Sequence, residues 1–373
     1  MLCWYLTRTM QVGSVSSQPG ELTSGYFEVA DLPTGQSEQI PVLITEGERD
    51  GPTLWIVATI HGEEVTPLAT CHDLMTQELA ETMRGQVVCM PNINPAGLRQ
   101  DSRTSYYHDH DPNRYWPDPY GEETERPPKV QERINQRIYE EVINAADALI
   151  SFHSAHVNAV PYVVRPRVPY GYRRSKQEAK SLADELDRLV EAFGIPVLQY
   201  EENEYMERNL QRTTAGSVLE NAGIPAFTPE MGTTAGQVVE ENRKAGLIGA
   251  KNVMRELGML DKDPVENDVT PSAPVDFACK RPVDPVTDTA GIARHHVTAG
   301  DRIEEGDPIA DIVSPLGERK TTIYSEHDGW IVARHQSPAT RIAVYEGDPL
   351  THTAVRDDGD LIREAPMRRE QSP

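Results

Sequence analysis

The segment His61-Gly62-Glu63-Glu64 sets an imidazole and a carboxylate three positions apart, at the end of an apolar run over residues 54–60 that reads as a buried strand. A second apolar run, 148–152, ends in His153. Open α/β sheets gather their sites at the carboxyl ends of parallel strands, so both strand-end groups are predicted to share one edge. Histidine nitrogen and carboxylate oxygen are ordinary zinc donors, and a catalytic zinc takes three protein ligands with one position left for water. His61, Glu64 and His153 therefore form a candidate His-Glu-His site for one Zn2+ per chain. For a lone strand-end histidine, hydrogen bonding is the simpler account; three candidates on one edge favour the metal.

These side chains need a scaffold that repeats strand and helix. Strand-like runs at 54–59, 86–90, 148–153, 162–165 and 224–228 alternate with helical patterns at 64–83, 129–146, 175–193, 214–222 and 234–257. The predicted class is α/β, a mostly parallel sheet with helices on its faces. Residues 92–128 break the pattern with Asn, Pro, Asp, Tyr and Arg, and a long irregular stretch inside a compact domain is usually functional. Pro- and Asp-rich text at 261–275 reads as a linker after a catalytic domain over 1–260. Gly-Asp and Asp-Gly turns then punctuate short β-like runs, which predicts a small all-β domain over 276–355, and the charged tail 356–373 is expected to be disordered.

Taken together, these motifs carry a resemblance. His61-Gly62-Glu63-Glu64, Asn94-Pro95-Ala96-Gly97, Asp111-Pro112-Asn113-Arg114, His153-Ser154 and Pro229-Glu230-Met231-Gly232 follow one another as in the succinylglutamate desuccinylase and aspartoacylase family. The chain resembles that family over about residues 40–350. The resemblance implies a zinc carboxypeptidase-like mixed sheet flanked by helices, with a smaller C-terminal all-β domain. It implies His61, Glu64 and His153 as zinc ligands, Glu230 as the catalytic carboxylate and Arg103 beside the scissile carbonyl. Asn113 and Arg114 are implied as the clamp on a substrate carboxylate. The chemistry agrees with those roles: a glutamate can carry a proton from water to a departing amine, and a guanidinium matches a planar carboxylate. The implied activity is zinc-dependent cleavage of an N-acyl amino acid or related small amide. The alternative is a metallocarboxypeptidase acting on peptide C-termini. A non-catalytic binding protein on the same fold is disfavoured by the complete ligand set. Glu63, Pro112 and Ser151 stand where the family commonly has Asp or Asn, Leu, and Asp.

Composition narrows the partners. The 373 residues carry 59 acidic against 36 basic side chains, a net charge of −23, and only eight of the basic residues are lysine. Such a surface lacks the basic stripe that nucleic acid or an anionic membrane requires, so a small molecule bearing a carboxylate is the expected partner. A homo-oligomer is compatible with it. The acidity is read as a solvated surface, with adaptation to high salt as the sharper version. Cys3, Cys71, Cys89 and Cys279 show no paired spacing and read as core residues of a reducing, cytoplasmic protein. No apolar run is long enough for a membrane span, the first ten residues do not form a secretory signal, and Met10 is a second candidate start.

Other candidates carry less weight. His108, Asp109, His110 and Asp111 alternate possible metal ligands in an acidic loop and are read as solvated, and His156, three residues past His153, is read as a simple loop histidine. Arg165, Arg167, Arg173 and Arg174 are read as surface cations rather than a second anion receptor, and His72 as structural. Lys320 follows Arg319 and lies too close to Gly329 for a carrier lysine in a biotinyl-type hairpin, so the β domain is expected to cap the active-site mouth.

Overall fold

The computed structural model describes residues 10–107, 109–118, 126–155, 158–171, 173–200, 209–232, 236–281, 285–334 and 343–365. Met1, Cys3, His108, His156, Thr234 and the end of the tail lie outside them.

A twelve-stranded mixed sheet forms the spine. Four parallel strands lie side by side at its centre, in the order Ala226–Glu230, Ala148–Ser151, Arg49–Val57 and Arg84–Met90. Leu54, Trp55, Ile56, Val87, Val88, Leu149 and Ile150 are all buried, as expected for strands covered on both faces. Beyond the Ala226–Glu230 strand, Tyr162–Val164 runs antiparallel to it and pairs in parallel with Val197–Tyr200 and, through that strand, Cys279–Arg281.

Local chemistry sets the helix limits. Lys176–Phe193 opens on a capping box between Ser175 and Glu178 and ends at Gly194 with φ 81°. Its apolar side, including Leu182, Leu186, Leu189 and Phe193, enters the main core. The predicted helix over 64–83 is two, Val65–Leu74 and Gln77–Thr82, because the Thr76 side chain accepts from the Leu79 N–H and starts a new N-terminus. The predicted helix over 214–222 holds one α turn, Thr214–Ser217, followed by π-helical Val218–Ala222. The helix expected from 234 begins at Glu240.

Three further differences concern topology. Two long strands that the sequence reading did not include, Glu21–Asp31 and Ser37–Glu46, form an antiparallel ribbon on the edge beside Arg84–Met90. The C-terminal β region is shared between sheets. Gly291–His295, Pro308–Val313, Arg319–Tyr324 and Ala343–Val344 make a four-stranded sheet, while Cys279–Arg281, Arg302–Ile303, Gly329–Arg334 and Thr351–Arg356 extend the central one. The tail expected to be disordered contains strand Ile362–Glu364, paired in parallel with Val168–Tyr170. Arg363 there donates to Glu220 at 2.8 Å, and both side chains are buried.

Candidate metal-dependent active site

The parallel strands deliver their chemistry to one edge. His61 follows Arg49–Val57, Asn94 follows Arg84–Met90, His153 follows Ala148–Ser151, and Glu230 ends Ala226–Glu230. The His153 N–H donates to the Pro229 carbonyl at 2.9 Å and the Met231 N–H to the His153 carbonyl at 2.7 Å, so the third histidine and Glu230 are locked in register.

The turn carrying His61 depends on close backbone approach. A Cβ on Gly62 would fall 1.9 Å from the Gly97 carbonyl carbon, so no other residue fits without backbone movement. Asn94 closes the same corner, donating to the Ile60 carbonyl at 2.8 Å and accepting from the Gly97 N–H at 2.9 Å. Thr59 has φ 54°, a left-handed conformation that is unfavourable for a β-branched residue. Its buried hydroxyl lies 2.9 Å from the Pro91 carbonyl and 3.2 Å from that of Glu64, which holds the strained residue in place.

His61, Glu64 and His153 each offer a ligand atom, all within 4.8 Å of one another, and all three residues are almost fully buried. Glu64 Oε1 lies 2.6 Å from His61 Nδ1, and Oε2 lies 3.1 Å from His153 Nδ1. Oε2 has no hydrogen bond of acceptable geometry although it is buried, so one carboxylate oxygen lacks the partner that a cation would provide. Two imidazoles and a carboxylate at this separation fit a zinc ion with ligand bonds of ~2.0–2.2 Å. Burial alone would lower the pKa of His61, yet the Glu64 charge, helped by Asp111, overrides both burial and Arg103 and raises it to about 9. Burial would conversely raise Glu64, but the two histidines hold its carboxyl well below the usual carboxylate range.

Asp111, assigned on sequence to a solvated acidic loop, is central. It faces His61 Nε2 at 3.0 Å, accepts from Arg103 Nη2 at 2.8 Å and from the Asn113 N–H at 2.9 Å, and lies 3.7 Å from Arg114. Burial would raise its pKa; the hydrogen bond and charge of His61, with both arginines, push it far below the ordinary value. A carboxylate on Nε2 leaves Nδ1 directed at Glu64, the arrangement by which outer carboxylates orient ligand histidines. Asp111 thus sets a loop carboxylate against His61, while Ser151 offers no acid beside His153. Its signal in the sequence is that it immediately precedes Pro112, as an N-cap to the short helix Pro112–Arg114.

Asn113 is buried and uses both ends of its amide. Oδ1 accepts from the Thr214 N–H at 2.8 Å and from its hydroxyl at 2.9 Å, which fixes Nδ2 toward His153 Nε2 at 3.2 Å. Thr214 is a second residue missed on sequence; nothing marks it there because its partner is a hundred positions away. Arg114 donates to the Asn113 carbonyl at 2.8 Å and remains about a quarter exposed. Arg103 reaches His61 at 3.3 Å and the Glu64 carboxylate at 4.0 Å, with nearly half its side chain exposed. Glu230 is half-buried; burial raises its pKa, and neighbouring Glu64 adds to the rise against the pull of His153, His61 and Arg103.

Apart from Asp111, the lesser candidates among the described residues stay outside this cluster, and His108 and His156 lie outside those residues. Asp109, His110 and His72 are exposed. Arg165 pairs with Asp187, Arg167 with Asp357 and Arg173 with Asp118, while Arg174 donates to the Leu219 and Glu220 carbonyls. Lys320 donates to the Ala290 carbonyl at 2.7 Å, and Cys71, Cys89 and Cys279 are free and buried. No helix among the described residues is long and apolar enough to cross a membrane.

Several solved structures share this fold. A succinylglutamate desuccinylase from a Silicibacter species aligns with a TM-score of 0.70 at 20% identity, covering 90% of this chain and 95% of that one. The product-bound ectoine utilization protein EutE from Ruegeria pomeroyi aligns with a TM-score of 0.70 at 19% identity, covering 90% and 95%. A succinylglutamate desuccinylase/aspartoacylase from Rhodobacter sphaeroides aligns equally well at 18% identity, covering 90% and 96%. A search of curated proteins returned no match. The profile of the succinylglutamate desuccinylase/aspartoacylase catalytic domain matches residues 50–257, and the chain belongs to that family.

Proposed function

We propose that the protein is a zinc-dependent amidohydrolase that cleaves an N-acyl amino acid, or a related small amide carrying a carboxylate, into an acid and an amine. The observation that carries this reading is the juxtaposition of a buried His61-Glu64-His153 donor set with Glu230 on the neighbouring strand end. Zinc held by those three residues would supply a water of pKa near ~7 and polarisation of the scissile carbonyl.

The remaining chemistry falls to this chain's own groups. Glu230, whose pKa burial raises, is suited to accept the attacking water's proton and return it to the departing amine nitrogen. Arg103, tethered by Asp111, presents its guanidinium where negative charge develops on the carbonyl oxygen. Arg114 is the receptor for the substrate carboxylate. Asn113, which the family resemblance assigns to the same clamp, has its amide oxygen committed to Thr214, which leaves Nδ2 as the donor it can offer beside Arg114.

The test is a panel of N-acetyl and N-succinyl amino acids and C-terminal peptides, assayed on zinc-loaded protein with two variants. Glu230→Ala should keep zinc and lose about 10²–10⁴-fold in kcat, whereas His153→Ala should lose the metal itself. Full activity in either variant would overturn the mechanism, and release of C-terminal residues from peptides alone would move the assignment to a carboxypeptidase.

A further inference from the structure

A cavity opens at the opposite end of the central strands from the catalytic edge. It measures about 570 Å³, and its lining includes Glu46, Glu48, Asp50 and Glu141. Strand Arg49–Val57 runs from this cavity to the turn that carries His61, so the two sites are separated by the length of a strand.

Three features besides acidity point to a ligand. Glu46 is only 5% exposed, and its Oε2 has no hydrogen-bond partner. Leaving a buried carboxylate oxygen unpaired is costly unless something enters to pair it. Glu46 stands opposite Gln86, and Gln86 opposite Thr53, so the three side chains form one cross-strand row on a single face, and all three line the cavity. Helix Val130–Ala145 ends against the same space, with Asn144 and Ala145 in its lining and no basic residue in its last turn. The negative end of a sixteen-residue helix therefore faces the cavity without a basic residue of its own last turn to complement it. Arg49, the one basic residue among the described lining, turns instead toward the Thr82 carbonyl at 3.5 Å and Asp261 at 4.0 Å.

The size and spacing of the acids select the ligand class. Among the described residues, only His61, Glu64 and His153 bring ligand atoms close enough together to chelate one ion. The carboxylates of the cavity are more dispersed, and its volume far exceeds one ion. We propose that this cavity binds an aliphatic cation carrying ammonium groups, of the diamine class, with one ammonium on Glu46 and the helix end and another at the acidic rim.

The test is calorimetric titration of the full chain with 1,4-diaminobutane at physiological salt, where diffuse attraction to an acidic surface is screened. Saturable binding at one site per chain is expected. Glu46→Gln, which keeps shape and removes charge, should weaken it by about tenfold or more, the loss associated with a charge-assisted hydrogen bond. Glu141→Gln should weaken it less, and Glu230→Gln, at the catalytic edge, should leave it unchanged. If Glu46→Gln fails to fold, the Glu141→Gln and Glu230→Gln pair decides the location. Unsaturable binding, equal affinity in wild type and both cavity variants, or loss of binding in Glu230→Gln would overturn the proposal. So would calcium chloride binding more tightly than the diamine at the same cavity.

Discussion

The strongest consequence of the site geometry concerns Asp111, and Asp111→Asn is the perturbation that isolates it. Asparagine keeps an oxygen to accept the Asn113 N–H at 2.9 Å, so the local turn should survive. What is lost is negative charge against His61 at 3.0 Å and Arg103 at 2.8 Å. A hydrogen bond to a charged group contributes about 1.5–3 kcal/mol, and the contact with buried His61 belongs in that range. The Arg103 side chain is 45% exposed, so solvent screening places its contact nearer ~0.5–1 kcal/mol. The Arg114 ion pair, at 3.7 Å, adds little. Together they amount to about 2–4 kcal/mol, or roughly 30- to 1000-fold in kcat/KM. If Arg103 meets the carbonyl oxygen only as charge develops on it, the fall should appear in kcat rather than KM. Steady-state kinetics on an N-acyl amino acid at saturating zinc, with metal content measured on the same samples, checks this. A kcat/KM within about threefold of wild type, with metal retained, would refute the view that Asp111 orients the site.

Other perturbations address the scaffold. Gly62→Ala places a methyl 1.9 Å from the Gly97 carbonyl carbon and should cost about 3 kcal/mol or more while disturbing metal affinity, measurable by urea unfolding and zinc titration. Arg363→Ala leaves Glu220 buried without its cation and should destabilise by about 3–5 kcal/mol; an unchanged denaturation midpoint would show that the tail strand contributes no stability. Burial would raise the pKa of Glu38, but hydrogen bonds from Arg99 and Tyr107 outweigh it, so the folded value lies below the ordinary 4.5. Its stabilising contribution is therefore present above that value and lost as pH falls through the lower folded one. Glu38→Gln should be less stable than wild type at pH ~7, and the gap should narrow once pH drops below ~4; a gap that widens in acid would contradict the assignment.

The grouping of His61, Glu64 and His153 was legible because these residues lie where local sequence is most informative. Leu54 to Ile60 and Ala148 to Phe152 are short apolar runs, each interrupted by a single hydroxyl residue, Thr59 or Ser151, and strand polarity alone sends their last residues to one edge. For Asp111 the cap before Pro112 was legible but the contact with His61 was not, because that partner is fifty positions away and the intervening loop gives no periodic pattern to follow. The strand Glu21–Asp31 escaped for a different reason. As an edge strand it buries only Phe27 and Val29, too few apolar positions to stand out from a polar loop. Nor could local text show that Cys279–Arg281 joins the central sheet, since that depends on its pairing with Leu198 to Tyr200 across a gap of some eighty residues. The splitting of the 64–83 helix was readable in principle at Thr76, whose capping role competes with helix continuation.

The division of labour between strands and loop bears on how this chain can diversify. His61, Glu64, His153 and Glu230 sit at or just beyond the ends of neighbouring strands whose separation is fixed by backbone pairing, while Arg103 and Arg114 ride on the irregular segment between residues 92 and 118. A scaffold of this kind lets the loop lengthen or change sequence without disturbing the strand-end groups. Asp111 sets the limit to that freedom, because among the described loop residues it alone touches both arginines and His61. Grafts from relatives should therefore tolerate exchange on either side of Asp111 and fail when the aspartate is displaced, which makes it the natural anchor for loop libraries aimed at new substrates.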